Sequence, residues 1–480
     1  MTVAMVTAEE YRVESDTMGE VKVPNAAYYG AQTQRAVENF PISGIRLPKD
    51  FIRAMALIKL AAAKANMQLG LLEPKKGEAI ASAAKEIMAG SLYEQFVVDV
   101  FQTGSGTSTN MNANEVIANR AIELLGGKRG DKKLVHPNDH VNMCQSTNDV
   151  FPTAIHVSAA EAIGRKLIPA LQSLAKALEK KTVEFDDVVK AGRTHLQDAV
   201  PVTLGQEFGA YASMIRHGVK RAEMARDTLL ELPLGGTATG TGLNAHPRYA
   251  ELAIREVNRL TGFEFKRAEN VFESMQGKDA CVEASGLLKT IAVSLMKIAN
   301  DLRLLNSGPR TGLGEIDMPA TEPGSSIMPG KVNPVIPEAV NLIAAQVIGN
   351  DAAIAVCGSL GQLELNIMMP VIAYDLLQSI EILANGSRVL SEKCVSGITA
   401  DRERCYSYAD RSLMVVTAIT PHIGYDNAAK VAKRAVAENK SVRQVILEEK
   451  ILSKEKLDEV LDLKKMTKGG RARSSDPIGG

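Results

Sequence analysis

The sequence predicts an all-α protein built around a bundle of long helices, and three observations predict it. Five stretches carry apolar residues at spacings of three and four, the mark of one buried face per helix. Aromatic residues make up only 4% and Trp is absent, while Ala and the 18 Met suit packed helices better than sheets. Polar, glycine-rich breaks separate the long stretches.

Residues 1–50 are mixed, with turn formers at Gly19, Pro24, Gly30, Pro41 and Gly44. From Phe51 the pattern is helical, with Ile52, Ala56, Ile58, Ala61 and Ala62 on one face and Leu69-Gly70 closing the run. Residues 79–88 form a second helix and 115–125 a third, stopped by Gly126-Gly127. The first long helix is expected over 153–181, with Ile163, Leu167, Leu171, Leu174 and Leu178 as its stripe and a kink at Pro169. The second covers 204–232 (Phe208, Ala212, Ile215, Val219, Ala222) and the third 278–305 (Leu288, Ile291, Leu295, Ile298, Leu302, Leu305). A fourth follows Pro337, and a fifth surrounds Ile372, Leu376, Ile380 and Leu383. Such lengths are unusual for a globular chain, and several in series predict a bundle. Alanines at 159, 160, 344, 345, 352 and 353 suggest a second buried side, as subunit association would require; a large monomeric core is the alternative. Short helices over 428–439, 441–449 and 453–463 make a tail, and the basic, Gly/Ser-rich end from Lys464 is expected to be disordered. These shifts divide the chain into an N-terminal mostly helical domain (1–140), a central long-helix domain (141–398) and a small C-terminal helical domain (399–480).

Of the 480 residues, 56 are Lys or Arg and 56 are Asp or Glu. Zero net charge argues against nucleic acid or a membrane surface as the main partner. The five cysteines are scattered, with no CxxC pair, which reads as a reduced cytoplasmic protein without disulfides or structural zinc. The first 15 residues include Glu9 and Glu10 and no long apolar core, so no signal peptide is expected. No unbroken apolar run long enough to cross a membrane is apparent either.

The chemistry concentrates in Gly324-Ser325-Ser326-Ile327-Met328-Pro329-Gly330-Lys331-Val332-Asn333-Pro334. Glycines let backbone amides turn toward a bound group, Lys331 supplies a positive charge and Asn333 two amide donors. The loop suits an anion with a serine placed against it; a surface loop with a helix-capping serine is the plain alternative. Thr103-Gly104-Ser105-Gly106-Thr107-Ser108-Thr109-Asn110 leads into a helix, as an anion site or an elaborate N-cap would. Two further segments are His136-Pro137-Asn138-Asp139 and Ser146-Thr147-Asn148-Asp149. In Gly192-Arg193-Thr194-His195-Leu196-Gln197-Asp198, His195 sits in a polar break and can serve as acid or base near neutral pH, though a lone histidine is more often structural. Glu338 could orient it. Gly235–Gly242 imitates a dinucleotide loop, but no strand is expected before it. Metal-ligand spacing and a phosphate-loop motif are both missing. The expected site therefore has no cofactor and no metal, and suits a small dianionic substrate and proton transfer.

Residues 324–334 resemble the signature loop of the fumarase/aspartase superfamily, and the other four segments match that family in the same order, from Tyr11 to about Thr467. The resemblance implies a homotetramer in which five long helices from each of four copies form a 20-helix core. It also implies active sites built from three subunits, and anti elimination from a four-carbon dicarboxylate that releases fumarate. Carried onto this chain, Ser325 matches the base that takes the proton beside a carboxylate, and Lys331 and Asn333 match the groups that stabilise the resulting aci-carboxylate. Ser105, Gly106, Thr107, Ser146, Thr147 and Asn148 match the substrate pocket, with Thr194 and Ser326 beside it. His195, paired to Glu338, matches the group that protonates the departing oxygen, and His136, Pro137, Asn138 and Asp139 a secondary anion site. The loop 311–331 is expected to close over substrate.

The branch is set by finer features. Gly30-Ala31-Gln32-Thr33-Gln34-Arg35, Thr103-Gly104-Ser105, Gly235-Gly236-Thr237 and His422–Asp426 resemble class II fumarases. Ser146-Thr147-Asn148 and Gly361–Asn366 resemble aspartases, and Met369 departs from both. The first set is longer and more widely spread, so hydration of fumarate to L-malate is expected. Aspartate ammonia-lyase is the alternative, and a retired enzyme serving a structural role is a third reading.

Overall fold

The computed structural model describes residues 11–468. Residues 1–10 of the N-terminal stretch in which no signal peptide is expected, and residues 469–480 of the expected disordered end, lie outside them. The chain folds as two compact units: Met1–Pro169, Val219–Ala292 and Ile343–Asn385 make the first, and Ala170–Gly218, Val293–Leu342 and Gly386–Gly480 the second.

The first unit opens on an antiparallel hairpin, Tyr11–Asp16 against Gly19–Pro24, where the sequence suggested only turns. Helices Ala31–Asn39, Lys49–Gln68, Pro74–Met88 and Thr107–Leu124 follow. Lys49–Gln68 is buried nearly all round because Pro74–Met88, Thr147–Ala162 and Tyr249–Thr261 pack on it, and its many alanines let them approach. Thr107–Leu124 starts well before the expected residue 115. Its first two turns are hydroxyls and amides, poor helix formers in isolation. Tertiary bonds override that propensity: Asn110, Asn112 and Asn114 are all buried and each is hydrogen-bonded.

The first long helix also starts earlier than expected, at Thr147, with Pro152 carried inside it. Ser146 and Asp149 form a reciprocal capping box that nucleates it there. Pro169 has no N–H for the carbonyl four residues back, and the helix answers with a widened π turn at Ile163–Leu167 before resuming as Ile168–Glu184. The remaining long helices are Leu204–Thr228, Asp279–Leu305, Val335–Gly358 and Met369–Val389.

Val335–Gly358 corrects one expectation, because it is long and apolar enough to cross a membrane by length and composition. Scanning for an unbroken apolar run missed it, since Glu338, Asn341, Asn350 and Asp351 interrupt the sequence. Two of those groups are engaged by protein: Asp351 accepts from Ser285 Oγ (2.8 Å), and Asn350 donates to Ser379 Oγ (3.0 Å). The opposite face leaves Leu342 (74% exposed), Ala345, Ile348, Ala352 and Val356 (60%) in a continuous stripe.

A second correction concerns Gly235–Gly242. A two-residue strand, Glu231–Leu232, does precede it, paired in parallel with Lys266–Arg267. It reads as a strand only through that distant partner. The loop then runs into turns, and the next helix begins only at Tyr249.

The second unit holds an antiparallel hairpin, Val189–Thr194 against Gln197–Thr203, where no strand was expected. The short helices Tyr425–Ala437, Val442–Glu448 and Lys454–Val460 lie where the sequence placed them. Ser441 and Ser453 cap the last two. They share one apolar cluster, including Val431, Val445, Ile446, Leu457 and Leu461, with Val189 of the hairpin. Residues Leu463–Met466 form a further helical turn capped by Asp462, inside the stretch expected to be disordered.

Candidate active site

In the first unit two helix starts come together. Ser105 Oγ and Thr107 Oγ1 lie 2.9 Å apart at the head of Thr107–Leu124, and Asn110 Nδ2 donates to Thr147 Oγ1 (2.9 Å) at the head of Thr147–Ala162. Ser105 and Thr147 are each 8% exposed. The two N-termini place free amides and hydroxyls beside each other, a setting that favours a carboxylate. Gly106 makes the approach possible: its φ is +82°, and a Cβ there would enter the Phe151 ring. Gly106→Ala is expected to cost well over the roughly 1 kcal/mol of left-handed strain alone. A denaturant melt would read this as a lowered midpoint.

The Ser146–Asn148 segment is clamped from below. Asp149 is fully buried and accepts from the amides of Ser146 (2.9 Å), Gly235 (2.9 Å) and Thr237 (3.0 Å). Burial pushes its carboxyl up to about 6, against the pull of those amides. Asn148 donates to the Ala238 carbonyl (2.8 Å). The glycine loop, with its dinucleotide-like spelling, thus holds the Ser146–Asp149 segment in place. Similarly, Glu115, which burial also raises, accepts from the amides of Gly30, Gln32 and Thr33 and orients the segment Gly30–Arg35.

Lys59 lies beneath Asn110 and is completely buried. Its Nζ donates to Asn110 Oδ1 (2.8 Å), Asn142 Oδ1 (2.9 Å) and Gln145 Oε1 (3.0 Å). Burial pulls the ammonium down to about 7, against the attraction of the Asp149 carboxylate; the three acceptor oxygens also suit its charged form. Sequence reasoning did not single out Lys59, and it named Asp149 only as the end of the Ser146–Asp149 segment. The signal for Lys59 was present: a single cation inside Ala56-Leu57-Ile58-Lys59-Leu60-Ala61.

At the expected secondary anion site, His136 Nδ1 accepts from the amides of Asn138 (3.1 Å) and Asp139 (3.2 Å). His136 N in turn donates to His140 Nδ1 (2.8 Å), and Pro137 is buried. An anion taking those amides would have to displace the ring.

In the second unit His195 is at the tip of the hairpin. Thr194 pairs with Gln197, leaving His195 and Leu196 as a two-residue turn with φ of +56° and +59°. Both central residues of a type I′ turn need positive φ, which Asn and Gly usually supply. A histidine and a leucine there mark stored backbone strain, and both side chains are exposed. The hairpin is held from beneath by Glu315, which is 0% exposed: Arg193 Nη1 contacts both its oxygens (2.9 and 3.0 Å), and Lys190 Nζ reaches it at 3.2 Å and Glu207 at 2.7 Å.

The signature loop belongs to the same unit. Ser325 Oγ accepts from the amides of Met328 (2.9 Å) and Ile327 (3.3 Å), and Asn333 Nδ2 donates to the Gly324 carbonyl (2.8 Å). No helix starts at Ser325; the next begins at Val335, so the serine caps a turn and not a helix. Gly324 has φ +83° and lies so close to the Lys331 carbonyl that no side chain fits. Ser326 and Lys331 are exposed. Among the described residues of this unit, His195 and Glu338 share no hydrogen bond or ion pair.

The model of a family described as lyase matches residues 19–349, and one described as fumarase C C-terminus matches 415–468. A class II fumarate hydratase of Nitrosomonas europaea is 53% identical over 459 residues, 96% of this chain and 99% of that relative. An aspartate ammonia-lyase of Bacillus subtilis is 49% identical over 464 residues, 97% of this chain and 98% of that relative. The crystal structure of a recombinant class II fumarase from Schistosoma mansoni superposes with a TM-score of 0.93 at 41% identity, covering 95% of this chain and 99% of that one. With the helical fold, the paired helix starts and the serine loop, these likenesses place the chain in the fumarase/aspartase superfamily of lyases, on its class II fumarase branch.

Proposed function

We infer that the chain is a fumarate hydratase, adding water across fumarate in the anti sense to give L-malate, and reversing it. The observation that carries the reading is the setting of Ser325: two backbone N–H groups point at its oxygen. A serine hydroxyl is a weak base, and amide donors aimed at its oxygen stabilise the alkoxide it must become. From malate, Ser325 takes the proton on the carbon beside one carboxylate, and the electron pair flows into that carboxylate as the aci form. Lys331 and Asn333 offset its extra negative charge. The hydroxyl on the neighbouring carbon then leaves with a proton supplied through His195, oriented by Glu338, and fumarate and water remain. Ser105, Gly106, Thr107, Ser146, Thr147 and Asn148 hold the other carboxylate, with Thr194 and Ser326 at the margin. His136, Pro137, Asn138 and Asp139 serve as the secondary anion site.

The enzyme acts as a homotetramer whose active sites draw on three copies. The exposed apolar stripe along Val335–Gly358 supports this, since it fits burial against another long helix of the same chain. A carboxylate at Glu338 would then meet a His195 from another copy. Five free cysteines suit a reducing, cytoplasmic setting and a place in the tricarboxylic acid cycle.

The B. subtilis relative and Thr147 favour a second reading, ammonia-lyase. Ultraviolet absorbance of the conjugated fumarate double bond separates them: a rise with L-malate alone is expected, and a rise with L-aspartate alone would replace this reading. His195→Asn is expected to lower kcat for malate about 100-fold, because hydroxide leaves poorly without a proton. Steady-state rates at unchanged circular dichroism check this.

A further inference from the structure

The Lys59 cluster is a cation buried beneath the proposed pocket with no carboxylate among the described residues in hydrogen-bonding reach. Every acceptor around it is an amide oxygen whose nitrogen end is committed elsewhere. Asn142 Nδ2 donates to the Gln145 carbonyl (3.1 Å), and Gln145 Nε2 to the carbonyls of Val141 (3.1 Å) and Met143 (3.0 Å). Asn110 Nδ2 donates to Thr147 Oγ1 (2.9 Å) and, more weakly, to Asn142 Oδ1 (3.3 Å). The ammonium has three protons and meets three oxygens, so all three amides are locked with oxygen inward. For Asn110, oxygen inward means nitrogen outward, toward Thr147. The Thr147 oxygen is therefore an acceptor in this bond, and its own proton is directed elsewhere. Among the described residues no acceptor takes it.

We propose that Lys59 is a positioning residue whose buried ammonium, acting through the Asn110 amide, sets the Thr147 hydroxyl as a hydrogen-bond donor to a carboxylate of the substrate. The proposal rests on the reading above that Thr147 touches substrate. Without the ammonium only the weaker bond to Asn142 Oδ1 (3.3 Å) holds the Asn110 amide nitrogen outward. Turned over, it would present its oxygen to Thr147, take that proton, and leave a lone pair facing an anion. Lys59 would thus govern binding and not the proton-transfer step.

The test is a double-mutant cycle on the full-length enzyme, reading kcat and KM for fumarate. Thr147→Val is expected to raise KM about 10- to 100-fold, the weight of one hydrogen bond to a charged group. Lys59→Met should raise KM similarly, with kcat changed less than about threefold. The double variant should be no worse than Thr147→Val alone, because both remove one interaction. Asn110→Asp breaks the same relay at its middle. It keeps an acceptor for Lys59 and loses the donor to Thr147, and its effect should likewise vanish on the Thr147→Val background. If Lys59→Met yields no folded protein, the Asn110→Asp cycle decides alone. Multiplying effects in the double variants, or a loss in kcat at constant KM, would overturn the relay. An unchanged KM for Thr147→Val would instead remove the reading that Thr147 binds substrate.

Discussion

Ser325→Ala is expected to lower kcat for malate dehydration about 100- to 10,000-fold, the usual weight of a positioned base. The fold should not change. Ser325 lies in a turn, and among the described residues its side chain is bonded only to the amides of Ile327 and Met328 within the same loop. Losing a turn cap costs about 1 kcal/mol. On the proposed mechanism substrate binding should change little, because the groups proposed to hold the carboxylates remain. The expected signature is a fall in kcat and kcat/KM together at constant KM, which is the pattern of a group used in the transition state. Ser325→Cys keeps an acidic hydrogen at nearly the same place and should keep more activity than alanine. Wild-type turnover in Ser325→Ala would show that another group takes the proton.

Glu315→Gln is expected to cost about 3–5 kcal/mol of stability, the penalty for leaving a buried charge without its partner. Glu315 is 0% exposed and faces two cations, Arg193 and Lys190, the second of which is 1% exposed. Lys190 would retain Glu207 at 2.7 Å, and Arg193 would retain the Tyr408 ring, 5.7 Å from its guanidinium. The neutral amide offers one oxygen where two are now used. Arg193 is two residues from His195, so the hairpin tip should loosen as well, and kcat should fall about tenfold through misplacement of the proposed acid. Chemical denaturation and steady-state kinetics together separate the two effects. Full stability in Glu315→Gln would mean that Glu207 alone neutralises Lys190.

The long helices were legible because their signal is local. Apolar residues three and four apart define a buried stripe whatever the helix packs against, and Pro169 predicted its own distortion. The loop proposed to carry the base was conspicuous for a related reason: Gly324–Asn333 holds its glycines, serines and lysine within ten residues, so type and spacing travel together. The hairpin bearing His195 was not legible. Pro201 sits inside one strand, and Arg193 of the other is held by Glu315, more than a hundred residues away. The same holds for the early starts of Thr107–Leu124 and Thr147–Ala162. Their first turns are poor helix formers that become helical when Lys59, Asn142 and Gly235 supply partners from elsewhere in the fold. By itself the sequence determined the fold class, the family and which side chains could do chemistry. Only the tertiary structure decided how those side chains are aimed, because a buried carboxylate or ammonium is defined by the partners that surround it and not by its neighbours in the chain.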